Sequence, residues 1–424
     1  MKKIFFFLSI IVNCSLSIAN CRAATEIRDT EIESKIYEIV RPLAEAADIP
    51  ANRMKIHIVG DNAFNAYVSG GTEIFINTGL LAKIDSPAEL QAVLAHEIGH
   101  TVLGHMAQMG AKIRAEGTRA LAMRALGIGL MAVNPQAAIG VMAGASGLAA
   151  QSMLAFTRDE ERAADDYAVK LLAKVRTDPS ALLSVFQKMQ NSTNQDKINP
   201  NNTNHPLPEE RIKNIKYRAR GAKYKAQEDS HDLKLIQAKL AGYIDSFGRV
   251  QTLYPAHDKS NAAIYARAIA NIRGGNLELA KTGTLTLISR NKNNPYFYEL
   301  LGDIEFQFGH YDDSVEAYEK SLSLKKDSPQ IEIALALVLA GRKKTGDIER
   351  AIKLCKQTLL IEPMPLAYWV LAKTDEKKTD YYLAEYYYLH GDPKQAKSHA
   401  KKAIKILPSD SPEYMKANDI LDLK

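Results

Sequence analysis

From about Asn261 onward the chain repeats itself at a period of about 34 residues, and that period limits its folding choices more than any other feature. In one unit Asn294-Pro295 leads to Tyr298, Leu301-Gly302, Gly309, Ser314, Tyr318 and Ser321, and Pro329 begins the next. Ala262, Tyr265, Ala280 and Pro295 hold the same phase one unit earlier. Later units carry Gly346-Asp347, Ala351 and Pro363, then Tyr387, Gly391-Asp392, Ala396, Ala400, Ala403 and Pro408, at longer spacing. Small residues at fixed places let paired helices approach closely, and the prolines are expected to end the second helix of each pair. Residues 226–260 are expected to form a helical connector and 261–424 the repeat domain. Such helices carry no chemistry by themselves; they offer a surface.

The preceding stretch, residues 24–225, has a different pattern. Ile32 to Ala47 has a helical pattern, with Pro42 set to kink or split it. Lys55 to Val59 has the composition of a short strand, and Asn65 to Asn77 alternates around Gly70-Gly71 as a hairpin does. Ser86-Pro87-Ala88-Glu89 then opens a helix: Ser86 caps it, Pro87 takes the first position, and Glu89 is placed to close a capping box. That helix runs on through His96-Glu97-Ile98-Gly99-His100 toward His105.

Residues i and i+4 share a helix face, so His96 and His100 can grip one metal ion. Glu97, one residue round from His96, can take a proton from an attacking water. A hydrolytic zinc site needs a third protein ligand and an open position for water. Thr157-Arg158-Asp159-Glu160-Glu161-Arg162-Ala163-Ala164-Asp165, on a second expected helix, supplies the candidates. Glu161 and Asp165 are i and i+4, so one can bind the metal while the other hydrogen-bonds a ligand histidine. Spacing alone does not choose between Glu160 and Glu161. His105 lies about 140° round an ideal helix from His100 and is expected to be a packing or surface residue. His57, His231, His257, His310, His390 and His399 have no spaced partners and get the same reading.

The order of these segments resembles the M48 family of zinc metallopeptidases. Asn62-Ala63-Phe64-Asn65-Ala66, Gly70-Gly71 and Asn77-Thr78-Gly79-Leu80-Leu81 precede the two histidines, and Asn204-His205-Pro206 with Arg211-Ile212 follow the acidic helix. With an export signal and C-terminal helices that resemble tetratricopeptide repeats, the whole chain is similar to the periplasmic β-barrel assembly-enhancing proteases. The resemblance implies an α+β, mainly α, fold: a zincin-like peptidase domain with a small hairpin or sheet, followed by a repeat solenoid. It implies one zinc ion per chain on His96, His100 and Glu161, with Glu97 as general base and Asp165 supporting a ligand. It sets His205 near the metal, either donating to the oxyanion or filling the fourth zinc position. Tyr67-Val68-Ser69 departs from the family's Ala-x-Pro-Gly-Gly segment at the hairpin. Substrate is expected to bind extended, adding a strand along Gly71, Thr72, Glu73, Ile74, Phe75 and Ile76, because backbone pairing is largely indifferent to side chains.

Lys2-Lys3, the apolar run Ile4 to Val12 and small residues up to Ala19 or Ala23 form the pattern of a cleavable export signal over residues 1–23. A nine-residue run is too short to span a bilayer, which takes about 20 helical residues. Of the three cysteines, 14, 21 and 355, none has ligand spacing, and no disulfide framework is suggested. Removing residues 1–23 would delete three basic side chains and no acids, taking the net charge from +6 to +3. That is weak for a nucleic-acid protein, and no basic cluster alternates with aromatics, so nucleic acid is excluded as partner. Ala125 to Thr157 has no charged residue. It cannot cross a bilayer once, because His100 and Glu161 must meet at one metal. Two crossings need about 40 residues plus a turn. A helical hairpin fits, either packed as a lid or in peripheral contact with a membrane.

The function expected is an exported, periplasmic zinc endopeptidase that degrades misfolded or misassembled envelope proteins. Its repeats would dock a partner, the outer-membrane β-barrel assembly machinery on the family resemblance. The alternative is a periplasmic chaperone or adaptor for outer-membrane protein assembly, with proteolysis suppressed or secondary.

Overall fold

The computed structural model describes residues 25–69, 72–105, 108, 111–112, 115, 118, 158–195, 209–220 and 230–422. The signal-like segment, Gly70-Gly71, the uncharged stretch 125–157 and His205 lie outside the described residues. The fold is mainly α with a small sheet, as expected. The chain divides into two compact units, one of residues 34–233 and one of residues 1–33 with 234–424.

In the first unit, three strands lie side by side. β1 is Thr25–Ile27 of the other unit; β2 (Lys55–Gly60), β3 (Ala66–Ser69) and β4 (Glu73–Asn77) belong here. β4 is central, parallel to β2 in the register Ile56 to Ile74 and antiparallel to β3 in the register Ala66 to Ile76. The period of two decides the faces. Ile74 and Ile76 are fully buried on one. On the other, Phe75 stacks between His57 and Tyr67, with ring centroids 4.5 and 4.8 Å away. His57 is a packing residue, as expected, and Tyr67 forms part of the same ladder.

Helix α1 (Thr30–Ala46) passes through Pro42 without ending. Its residues Ile36, Val40 and Leu43, one face at helical spacing, are buried in this unit. After α2 (Thr78–Lys83) comes α3 (Pro87–Val102), begun as the sequence predicts: Ser86 Oγ accepts from Glu89 N at 3.3 Å. The box closes one residue early, however, for the Glu89 carboxylate accepts from Asp85 N at 2.7 Å. The same buried carboxylate takes Lys188 Nζ at 2.6 Å and the Ser184 hydroxyl from helix α5 (Ala181–Gln195), so the cap also pins α3 to α5. Helix α4 (residues 158–174) and α6 (Glu209–Ala219) complete the set around α3.

The second unit is helical apart from β1. Residues 231–260 form α7 (His231–Ile244) and α8 (Phe247–Leu253). Helices α9 (Asn261–Arg273), α11 (Pro295–Phe308) and α13 (Pro329–Arg342) start 34 residues apart, at 261, 295 and 329. Each is followed by its antiparallel partner: α10 (Leu277–Arg290), α12 (Tyr311–Leu324) and α14 (Asp347–Ile361). Then α15 (Pro365–Thr374), α16 (Thr379–Leu389), α17 (Pro393–Ala403) and α18 (Pro412–Asp422) follow. The small residues act as predicted: Ser314 Oγ donates to Gly302 O at 2.8 Å and Ser321 Oγ to Pro295 O at 2.8 Å, tying paired helices together. Pro363 and Pro408 follow the ends of α14 and α17 as expected, whereas Pro295 and Pro329, like Pro365 and Pro393, open helices. Proline lacks an N–H that the first helical position does not use, and its φ is already helical.

A charged cluster is buried in this unit. Lys239 Nζ lies 2.8 Å from Asp29 Oδ2, 3.2 Å from Glu31 Oε2 and 3.6 Å from Glu299 Oε2, and Tyr265 donates to Glu31 at 2.7 Å. Burial alone would lower the Lys239 pKa, but this ring of acids holds it well above the usual lysine range. Arg28 is paired with Glu33 and Glu362 in the same unit.

Candidate metal centre

Helix α3 carries His96, Glu97 and His100 in its last turns, with His96 and Glu97 buried. Helix α4 brings Glu161 and Asp165 against them. Gly99 eases the approach: a Cβ there would lie 3.1 Å from Ala164 O and 3.3 Å from Ala164 Cα, a tight contact that would press the two backbones apart by a few tenths of an ångström.

The result is a triangle of ligand groups, in which a different Glu161 oxygen faces each histidine. His96 Nε2 and His100 Nε2 are 3.1 Å apart, His96 Nε2 and Glu161 Oε2 3.4 Å, and His100 Nε2 and Glu161 Oε1 3.4 Å. A tetrahedral zinc site with bonds of about 2.0–2.1 Å has ligand–ligand edges of about 3.3–3.4 Å. The three groups therefore have the spacing of one face of such a tetrahedron, and among the described residues no fourth His, Cys, Asp or Glu joins them. Glu161 rather than Glu160 belongs to this set. Glu160 is buried beside it and pushed up to about 7 by burial and by the charge of Glu161.

The surrounding charges also suit a cation. Asp165 Oδ1 is 3.0 Å from His96 Nδ1, so His96 turns its Nε2 to the triangle. Burial would lower the His96 pKa, but hydrogen bonds to Asp165 and Glu161 raise it to about 10. The acids around His96 favour positive charge at this point, which a divalent ion held by His96, His100 and Glu161 would provide in place of a proton. Arg211 from α6, itself buried, grips Asp165 with two hydrogen bonds of 2.7 and 2.8 Å and reaches Glu161 at 2.7 Å. Its plane lies over Phe186, 4.8 Å from the ring centroid. Burial raises a carboxylate's pKa, yet Arg211 and His96 hold Asp165 below the ordinary range.

The structure revises two expectations. β4 already pairs on both sides, with β2 and β3, so Thr72, Glu73, Ile74, Phe75 and Ile76 have no ladder left for a substrate strand. Gly71 lies outside the described residues. Among the described residues the open edge on this side of the sheet is β3. Asn77 N donates to Asn65 O at 3.0 Å. By the alternation of antiparallel pairs, Tyr67 and Ser69 then turn their peptide groups to β4, while Ala66 and Val68 turn theirs to the edge. A small, largely apolar cavity of about 30 Å³ opens beside that edge, lined by Phe64, Ala66, His96, Glu97, Leu182 and Phe186 among others.

The second revision is His105. It is buried, and its Nδ1 lies 2.9 Å from His100 Nδ1. The helical projection failed because α3 ends at Val102. Gly104, at φ +70°, turns the chain left-handed and brings His105 back over His100. A glycine directly before the histidine was the available signal.

A second group of possible ligands, Glu305, His310 and Asp313, lies in the repeat unit. There Lys281 Nζ sits 2.6 Å from Glu305 and already supplies the positive charge.

Residues 30–219 match peptidase family M48. The chain is 23% identical over 324 residues to the Beta-barrel assembly-enhancing protease of Escherichia coli (strain K12), covering 74% of this chain and 66% of that one. It is 24% identical over 340 residues to the protein of that name from Yersinia pestis, covering 77% and 69%. The mitochondrial metalloendopeptidase OMA1 of Schizosaccharomyces pombe is 27% identical over 182 residues, 42% of this chain and 51% of that one. The chain thus spans about two thirds of the length of the bacterial relatives. Among solved structures, a thermophilic TPR protein of Thermus thermophilus aligns at a TM-score of 0.26 and 20% identity, over 45% of this chain and 93% of that chain.

Proposed function

For a chain whose residues 30–219 match peptidase family M48, we propose an exported zinc endopeptidase that cleaves misfolded or misassembled envelope proteins, outer-membrane β-barrels among them. The observation that carries this reading is the triangle of His96, His100 and Glu161 with Glu97 beside it on the same helix, facing a cavity at an open strand edge.

When bound, the zinc supplies a Lewis acid that polarises the scissile carbonyl and makes water easier to deprotonate. Glu97 takes the proton of the attacking water and returns it to the departing amine. Asp165 holds His96 in the tautomer that presents Nε2, and Arg211 keeps Asp165 charged and holds Glu161 in place. The substrate backbone pairs with Ala66 and Val68 along β3, and an apolar side chain enters the cavity beside Glu97. His205 acts on the oxyanion or on the fourth ligand position, the two roles its resemblance to the family leaves open.

Export is supported by the Lys2-Lys3 pair and apolar run at the N-terminus, and periplasmic action follows from it. Among the described residues no helix is long and apolar enough to cross a membrane. The repeat helices are the docking surface, and the names of the bacterial relatives point to the β-barrel assembly machinery as partner.

The test is zinc content together with cleavage of an unfolded β-barrel protein. Wild type should hold one zinc per chain and cleave. Glu97→Gln should keep the zinc and lose cleavage by about 10²–10⁴-fold. Zinc without cleavage in wild type would favour the chaperone or adaptor reading, in which Glu97→Gln keeps function.

A further inference from the structure

We propose that His105 is a positioning residue for the metal centre: it accepts a hydrogen bond from His100 and thereby fixes which nitrogen of His100 faces the ion. The inference rests on the reading of His100 as a zinc ligand.

The argument begins with the two nitrogens 2.9 Å apart, His100 Nδ1 and His105 Nδ1. At that distance one must carry the proton and the other must not. The opposite nitrogen of His100, Nε2, faces His96 Nε2 at 3.1 Å and Glu161 at 3.4 Å, which is the side of the ion. A coordinating nitrogen has no proton, so the His100 proton is on Nδ1 and His105 Nδ1 is the acceptor. The rings meet edge-on, with centroids 4.9 Å apart and planes at 76°. A ring held only by packing has no reason to present nitrogen to nitrogen; one held by a hydrogen bond does.

The two ligand histidines are therefore anchored by different chemistry. His96 leans on the carboxylate of Asp165, whose charge Arg211 shares. His100 leans on an imidazole, which orients the ring without adding another negative charge beside Glu161 and Asp165. A partner on the far nitrogen of a ligand histidine fixes its tautomer and ring angle, and losing it typically weakens metal binding about 10–100-fold. The backbone makes this contact deliberate. Leu103 N–H closes on Gly99 O at 3.0 Å, Gly104 takes its left-handed turn, and His105 returns to the same end of α3 that carries His100.

The experiment compares full-length wild type with His105→Leu and His105→Asn. Leucine keeps bulk and removes the acceptor. Asparagine can place its carbonyl oxygen where Nδ1 stands. Zinc affinity is measured by competition with a chromophoric chelator, and site geometry by the visible spectrum of the cobalt-substituted protein. Thermal unfolding in excess chelator reports the fold without metal. His105→Leu should bind zinc about 10–100-fold more weakly and alter the cobalt bands. His105→Asn should recover most of the affinity, with metal-free melting unchanged across the three. Equal weakening in both variants, or melting that falls in step with affinity, would mean packing alone and overturn the proposal. Unchanged affinity in His105→Leu would overturn it as well, while leaving the metal centre intact. A wild type that binds no zinc overturns this inference together with the metal-centre reading beneath it.

Discussion

At the scale of single residues, Arg211 is the buried cation beside the candidate metal centre. It is buried with two carboxylates, Glu161 and Asp165, one of them a candidate ligand. Removing one partner of a buried ion pair leaves the other charged and desolvated, which typically costs about 3–5 kcal/mol. Arg211→Met is therefore expected to lower the unfolding free energy by that order in chelator-treated protein, read by denaturant titration and circular dichroism. Arg211→Lys should recover little, because an ammonium cannot reproduce the two-pronged grip on Asp165. A variant as stable as wild type would show that the pair is dispensable. Both carboxylates and the arginine are legible as residues of the right type in the sequence. Their convergence is not, since α6 lies about 50 positions beyond Glu161 and no local spacing connects them.

At the scale of elements, the sheet and the helix ends decide most. The hairpin was readable from alternation around Gly70-Gly71, and β3 and β4 pair as that pattern requires. What alternation could not reveal is that β2 takes the other side of β4, because parallel pairing depends on a long-range choice of neighbour. The proposed substrate edge moves accordingly to β3. Val68→Pro removes one edge-facing N–H without touching the ladder to β4, and proline is tolerated on edge strands. It should lower kcat/KM on an unfolded protein substrate several-fold while leaving zinc content and melting temperature close to wild type. Unchanged cleavage would remove β3 as the substrate edge. Helix α3 gives the same lesson at its end. Ser86, Pro87 and Glu89 announced its start, whereas its stop at Val102, set by the turn at Gly104, was missed by extending an ideal helix to His105.

At the scale of the whole molecule, each unit has its own polar core. In the repeat unit burial raises Glu299 and pushes Asp303 up to about 6, against about 3.9 for an aspartate in an unfolded chain. Between those values the folded state keeps a proton that the unfolded state has lost. Stability from this group is therefore full below about pH 4 and is lost as pH rises through about 6. Trp369, the chain's one tryptophan, lies in α15 of the same unit and reports its unfolding. Urea titrations followed by tryptophan fluorescence should show a downward slope over that interval, flattened in Asp303→Asn. An unchanged slope in the variant would assign it to other groups. The sequence by itself determined the local features: the helical period of the repeats, the cap of α3, and the i, i+4 pairs His96/His100 and Glu161/Asp165. Each needs only a few residues and one backbone geometry. Spacing left Glu160 and Glu161 open, and only the family resemblance pointed to Glu161. The tertiary structure alone decided which strand keeps an open edge and that His105 returns to His100. Those outcomes depend on close approach between segments apart in the chain, such as β2 against β4, or on a single left-handed turn that redirects everything after it.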